Sequence, residues 1–380
     1  MELKEYREKI NEIDEQMVHL FEERMEVSAQ IAAYKKEHDL PIFDGARERS
    51  KLKAVNEQLP EHLQDYGLSL YSLLMDLSKT YQHRTIGEGN PVSESIETAI
   101  RQTPALFPEK AVVACQGVEG AYSQTAAEKL FKYANIFFFD TFDAVFSAID
   151  KGLCRYGVLP VENSTAGTVN RVYDLMLQHD FRIVRSVRVK IDHNLLAKPG
   201  TKLNHIREIY SHEQAISQCR GFLAMLPGVK VIPVENTALA AKIVASSERD
   251  DIAALSSRSC MELYGLSCLK ASVQDSSNNY TRFICISKEP EIYPGADRTS
   301  LMMVLPHTPG SLYKVLSRFY ALGINLIKLE SRPLPDRNFE FMFYFDLENS
   351  VYSPRFVQLM EDMDSICEEF IYLGSYSEII

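Results

Sequence analysis

Tryptophan is absent from the 380 residues, which by itself constrains no fold. Other absences exclude more. No apolar run approaches the roughly 20 residues that a helix needs to cross a bilayer, so no membrane partner is expected. The N-terminal MELKEYREKI is charged where a secretory signal would carry an apolar stretch, which predicts a cytoplasmic protein. No run of Lys and Arg offers a basic face, and the net charge of −11 argues against a nucleic-acid partner. The seven cysteines lack CxxC spacing and the nine histidines form no HxH or HxxxH pair. Neither a disulfide framework nor a metal site is predicted.

What is present is ordinary in bulk, 46% hydrophobic and 24% charged, and too long for one core. The text changes character along the chain. Residues 1–90 follow three-four apolar spacing through Leu3, Tyr6, Ile10, Ile13, Met17 and Leu20 to about Glu37, and read as three helices. A first helix that long rarely packs only on itself, which predicts a helical dimer. A Gly-, Pro- and Ser-rich stretch at 91–109 reads as a linker. From 110 to 289, short apolar runs alternate with helical segments, the mark of a two-lobed α/β domain. Residues 297–380 follow β-α-β-β-α-β order, a ferredoxin-like α+β domain.

At about 100° per residue, Lys35 returns to within about 20° of Arg24, and Met17, Leu20 and Ile31 fall within about 40° of the same direction. The two cations therefore point where a core is expected. Burying an unpaired cation costs several kcal/mol, so something anionic must meet them. Arg24, Lys35 and Arg47 together suit a small dicarboxylate, and Glu48 and Gln82 add a carboxyl and an amide. No nucleophile is evident, so the chemistry would rest on orientation and electrostatics. Arg7 lies about 100° around the helix from Arg24 and is expected to serve a different pocket, across a dimer.

Arg7, Arg24, Lys35, the D-x-x-R-E of Asp44, Arg47 and Glu48, and Ser78 with Gln82 resemble the motif positions of the all-helical chorismate mutase family. The resemblance implies rearrangement of chorismate to prephenate without a cofactor. Arg24, Arg47 and a partner chain's Arg7 would hold the carboxylates, while Lys35 and Gln82, aided by Glu48, would bond the ether oxygen. A millionfold acceleration needs about 8 kcal/mol, within reach of a few donors worth about 3 kcal/mol each.

The central segment carries GVEGAYS (117–123), PVENSTAG (160–167), YSHEQ (210–214) and NNYTRF (278–283) at strand ends, where open α/β folds bind ligands. Glu162, Asn163, Ser211, Gln214 and Thr281 are the candidate contacts. His193 and His212 are read as structural. Together the motifs resemble prephenate dehydratase, which implies a fold like type 2 periplasmic binding proteins, prephenate between the lobes, and Thr281 assisting departure of the ring hydroxyl as carbon dioxide leaves. Two departures from that family are Ala121, where Ser or Thr is common, and Asn236, where Ser is common.

In the last segment, His307–Leu312 precedes a helix whose first N–H groups, near Gly310, Ser311 and Leu312, could meet a carboxylate. With Glu330, Ser331 and Arg332 it resembles the ACT regulatory domain that follows prephenate dehydratases, and this implies phenylalanine held at a subunit interface. The whole reads as a bifunctional enzyme making phenylpyruvate under phenylalanine control, as a homodimer or homotetramer. Two alternatives stay open: a dehydratase preferring arogenate, and a central module that senses an amino acid without turnover.

Overall fold

The computed structural model describes residues 3–86, 91–334 and 340–380. Helix α1 (Leu3–Glu37) runs 35 residues. α2 (Gly45–Gln58) starts where Asp44 accepts a hydrogen bond from Arg47 N at 2.9 Å, an N-cap of a preferred residue type. α3 (Gln64–Ile86) packs against both. Among the described residues α1 buries only Ser28 and Ala32. Met17, Leu20 and Ile31 stay 51%, 61% and 43% exposed. The stripe read as facing a core is therefore no core of a single chain. The reason is length: α1 spans about 52 Å and α3 about 35 Å, so α3 covers one face over part of its run.

The stretch read as a linker contains α4 (Pro91–Gln102), with Pro at its first turn, where no backbone donor is needed. Val92, Ile96, Ala99 and Ile100 share one face and join the C-terminal core beside Leu301, Phe356 and Met360.

The first lobe contains β1 (Lys110–Gln116), α5 (Tyr122–Leu130), β2 (Tyr133–Phe139), α6 (Phe142–Asp150), β3 (Tyr156–Asn163), β4 (Gly167–Thr168), α7 (Asn170–Met176) and β5 (Arg182–Lys190). The second lobe follows with β6 (Asn194–Ala197), β7 (Glu208–Ser211), α8 (Glu213–Gln218), α9 (Arg220–Ala224), β8 (Lys230–Pro233), α10 (Thr237–Ser246), β9 (Ile252–Ser256), α11 (Arg258–Leu263) and β10 (Ser267–Lys270). The chain then returns as β11 (Tyr280–Ser287) between β5 and β3. The C-terminal unit is β12 (Arg298–Val304), α12 (Ser311–Ala321), β13 (Asn325–Pro333), β14 (Phe341–Glu348), α13 (Pro354–Ile366) and β15 (Glu369–Tyr376), with β16 (Glu378–Ile379) after it.

Among the described residues the strands form three sheets, ordered β16-β5-β11-β3-β1-β2 with β4 on β3, β10-β6-β9-β7-β8, and β13-β14-β12-β15. The last is antiparallel throughout and has the ferredoxin-like order. β16 leaves it to pair with β5 of the first lobe. The two units also share a core, in which Leu159, Val161 and Tyr173 meet Met302, Tyr344 and Tyr376. No described helix is long and apolar enough to cross a membrane.

Where β15 passes β5 the backbones touch. A Cβ on Gly374, whose φ is +143°, would stand 2.2 Å from the Ile183 carbonyl oxygen. Backbone cannot yield as a side chain can. Gly374→Ala is expected to cost about 3 kcal/mol or more by strain and clash together. Gly152→Ala, with φ +68° but no atom within 4 Å of the added Cβ, should cost about 1 kcal/mol. Denaturant unfolding of the two variants checks this; equal midpoints would contradict the close approach.

Candidate active sites

The cleft between the lobes is a cavity of about 380 Å³ lined from both sides, with Asn163 and Thr281 on one wall and Gln214, Gln218 and Thr237 on the other. Asn163 and Thr281 are register partners of the antiparallel β3 and β11, so one rung delivers both. Asn163 is 5% exposed. Its Oδ1 accepts from the Thr165 and Ala166 backbone N–H groups at 3.1 and 2.9 Å. Those bonds fix the amide, because a backbone N–H can only donate. Nδ2 then donates to Thr281 Oγ1 at 2.9 Å and Asn279 Oδ1 at 2.8 Å. A Thr281 oxygen that accepts from Asn163 keeps its own proton free for the cleft.

The same logic runs on. Asn279 Nδ2 donates to Gln218 Oε1 at 2.9 Å, and Gln218 Nε2 donates to Thr165 Oγ1 at 2.8 Å. His193 Nε2 lies 2.9 Å from that same Gln218 Oε1, so Nε2 carries the proton. His193 Nδ1 is buried with no hydrogen-bond partner. Burial lowers the pKa of His193, against a smaller upward pull from the Gln218 bond, which keeps the ring neutral. No Lys or Arg is among the described residues lining the cleft, and Glu235 is its one carboxylate. An anion there must be met by dipoles. The N-termini of α5, near Ala121 and Tyr122, and of α10, near Asn236 and Thr237, both open on the cavity. Asn236 caps α10 by accepting from Leu239 N at 2.7 Å, whereas Ala121 gives α5 no side-chain cap.

Two of the expected contacts lie elsewhere. Glu162 does not line the cavity; strand alternation turns it to the opposite face, where it pairs with Lys328 at 3.3 Å. Ser211 is fully buried and its hydroxyl donates to the Leu255 carbonyl at 2.8 Å, so it is committed to joining β7 and β9. Gln214 lines the cavity as expected. The reading missed Gln218, four residues on and thus on the same face of α8, and Asn279, inside a motif it had singled out. His193, read as structural, lines the cleft.

In the helical unit, Arg24 reaches α3, donating to Ser78 Oγ and to the Leu74 carbonyl at 2.9 Å. Burial lowers its pKa. Gln82 is 7% exposed with Oε1 lacking a partner among the described residues. Lys35 Nζ donates to the Ile42 carbonyl at 2.5 Å, beside the turn into α2. Glu48 is paired with Lys79 at 2.9 Å, and Lys79 also meets Asp76 at 3.0 Å; the reading did not single out Lys79. Burial opposes the charge on Lys79, and the Glu48 and Asp76 hydrogen bonds outweigh it and raise its pKa. Arg47 is exposed. Arg7 is exposed too and sits about 25 Å along α1 from Arg24, so the two cannot share one pocket in one chain.

In the C-terminal unit, Gly310, Ser311 and Leu312 line a second cavity with Phe341 and Phe343. Gly310 takes φ +86° ahead of α12, a conformation glycine adopts without strain. Glu330, Ser331 and Arg332 do not line that cavity in the same chain. Glu330 accepts from Thr168 Oγ1 at 2.9 Å, Arg332 donates to Asp174 at 2.7 Å, and Ser331, on the other face of β13, is exposed. Among the described residues no cluster of three His, Cys, Asp or Glu could hold a metal.

Two family models match the chain: chorismate mutase type II over residues 6–83 and prephenate dehydratase over residues 113–291. The bifunctional chorismate mutase/prephenate dehydratase of Aquifex aeolicus is 31% identical over 389 residues, covering 100% of this chain and 99% of that one. Arogenate dehydratase 2 of Petunia hybrida is 36% identical over 313 residues, 78% of this chain and 79% of its own. Among solved structures, the prephenate dehydratase of Arthrobacter aurescens in complex with L-Phe superposes with TM-score 0.65 at 26% identity, over 70% of this chain and 89% of that one.

Asn163→Asp keeps size and shape but removes both Nδ2 donors and offers Thr281 an acceptor. Dehydratase kcat is expected to fall about 100-fold with KM within about threefold. Steady-state kinetics check this, and an unchanged kcat would contradict the assigned direction of the bond.

Proposed function

This chain belongs to the bifunctional chorismate mutase/prephenate dehydratase family, and we propose that its two activities reside in the helical site of Arg24, Lys35, Glu48 and Gln82 and in the cleft around Thr281. The protein rearranges chorismate to prephenate and converts prephenate to phenylpyruvate. What supports this reading of the second step is the Asn163–Thr281 bond, whose polarity leaves the Thr281 proton free for the cleft. The departing ring hydroxyl then takes that proton and leaves as water while the carboxylate leaves as carbon dioxide, the Thr281 oxygen regains a proton from solvent, and the N-termini of α5 and α10 hold the charge of the remaining carboxylate.

For the rearrangement, Arg24 and Arg47 bind carboxylates, and Lys35 and Gln82 stabilise charge that develops on the ether oxygen as the C–O bond breaks. Asp44 places Arg47 and Glu48 by capping α2, and Ser78 orients Arg24. No cofactor is needed. The exposed stripe of α1 and the distance of Arg7 from Arg24 support a homodimer, or a tetramer built from it, in which the Arg7 of a second copy completes the site. The cavity at Gly310, Ser311 and Leu312 suits phenylalanine, its carboxylate at the α12 N-terminus and its ring against Phe341 and Phe343. Glu330, Ser331 and Arg332 would reach it from a second copy, with the C-terminal unit acting as an ACT domain. The cytoplasm is the expected compartment.

Arogenate is the second reading for the cleft, favoured by Glu235. A carboxylate with no competing cation suits the ammonium that distinguishes arogenate from prephenate.

Lys35→Ala should lower chorismate rearrangement at least about 1,000-fold, more than one donor's usual loss because charge and hydrogen bond go together, and leave dehydration of supplied prephenate within about twofold. Thr281→Ala should do the reverse. Paired assays of each variant check this; loss of both activities in a folded Lys35→Ala chain would contradict independent sites.

A further inference from the structure

We propose that Asp346 of the C-terminal unit, through its buried ion pair with Arg282, is a positioning residue that holds Thr281 against Asn163. The proposal rests on the reading that Thr281 acts in dehydration. Thr281 pairs in register with Asn163, and Arg282 pairs with Glu162 on the adjacent rung. Successive side chains on a strand face opposite ways. The first rung faces the cleft, and the second faces the C-terminal unit, where both of its members are gripped: Arg282 by Asp346 and Glu162 by Lys328 at 3.3 Å.

On the β5 side β11 pairs without a shift from Tyr280 to Cys285, but on the β3 side, which sets Thr281 against Asn163, the pairing is irregular. The β3–β11 register shifts between Arg282 and Phe283, so that Phe283 stands opposite Pro160 and Val161 is left over. Pro160 has no N–H to give the ladder, and a bulge of this kind re-aims the residues beyond it. Thr281 lies beyond it, next to Arg282. Side-chain anchorage therefore adds, on the β3 side, to what the β5 ladder supplies.

Asp346 is built to anchor. It is 1% exposed and Arg282 is 7% exposed. Its Oδ1 accepts from Ser300 Oγ at 2.5 Å and from Tyr344 OH at 2.6 Å, which fixes the carboxylate to β12 and β14. Arg282 meets it through Nη2, and Arg282 Nε is buried with no partner. Among the described residues Asp346 is the one carboxylate that pairs with Arg282, so the place of the guanidinium follows Asp346 and bears on the backbone carrying it.

Asp346→Asn in the full chain removes the charge and keeps the shape. Dehydratase kcat is expected to fall about 10- to 100-fold, with KM within about threefold and mutase activity within about twofold, the loss that misplacing a reacting group produces. Combined with Asn163→Ala, the same change should lose less than about threefold more, because residues acting as a unit are not additive. A wild-type dehydratase kcat in Asp346→Asn, or full multiplicative losses in the pair, overturns the proposal. If Asp346→Asn unfolds, seen as equal loss of both activities, the pair Arg282→Met with Asp346→Leu decides, since it removes both buried charges. A folded chain with intact mutase and a dehydratase kcat at least about tenfold lower supports positioning; a wild-type kcat overturns it. Full dehydratase activity in Thr281→Ala would instead sink the assignment of Thr281 itself.

Discussion

The antiparallel pairing of β3 with β11 is the constraint on which the rest of the dehydratase depends. β11 is where the chain comes back from the second lobe, and it enters the first-lobe sheet between β5 and β3. A strand has two faces and no third choice. On one face the pair presents Asn163 and Thr281 to the cleft; on the other it presents Glu162 and Arg282 to the C-terminal unit. Arg282 and Asp346 would each be costly to bury alone. Burial works against the charge on Arg282, and the Asp346 carboxylate overrides it and holds the guanidinium well above its ordinary pKa. The cleft and the C-terminal unit thus lie on opposite sides of one pair of strands.

The two proposed sites would meet an anion in different ways. The helical unit uses full charges: Arg24 is buried enough to lose part of its hydration, and Lys79 sits between Glu48 and Asp76. The cleft uses dipoles, helix N-termini and a chain of amides whose donors and acceptors are fixed from the backbone of Thr165 and Ala166 onward. Full charges suit a substrate whose developing negative oxygen must be stabilised. A cleft lined by no described cation suits one that must shed a carboxylate as carbon dioxide, because a tight cation would hold it back. The C-terminal unit touches both, since Lys314 and Arg318 of α12 meet Asp76 and Thr80 of α3 at 3.1 and 2.7 Å.

Much of this was legible in the residues. Three-four spacing gave α1 to its observed end near Glu37, and Asp44 of the D-x-x-R-E pattern caps α2. What was not legible follows from period and partners. Glu162 belonged to the right motif, but period-two alternation puts it behind Asn163. Gln218 was missed because the YSHEQ motif stops at Gln214, while the helix it opens repeats its face four residues later. Ser211 ends the right strand, but its hydroxyl is buried and committed to the Leu255 carbonyl, which only the β7–β9 pairing reveals. The stripe on α1 could be seen in sequence, yet whether one chain or two covers it depends on the lengths of α2 and α3 together.

The central claim is that one polypeptide carries both reactions in sequence. The most direct test gives purified full-length protein chorismate, with no added cofactor, and follows prephenate and phenylpyruvate over time. The account predicts that prephenate rises and falls while phenylpyruvate accumulates to the amount of chorismate supplied. Prephenate that accumulates to that amount and stays would contradict it.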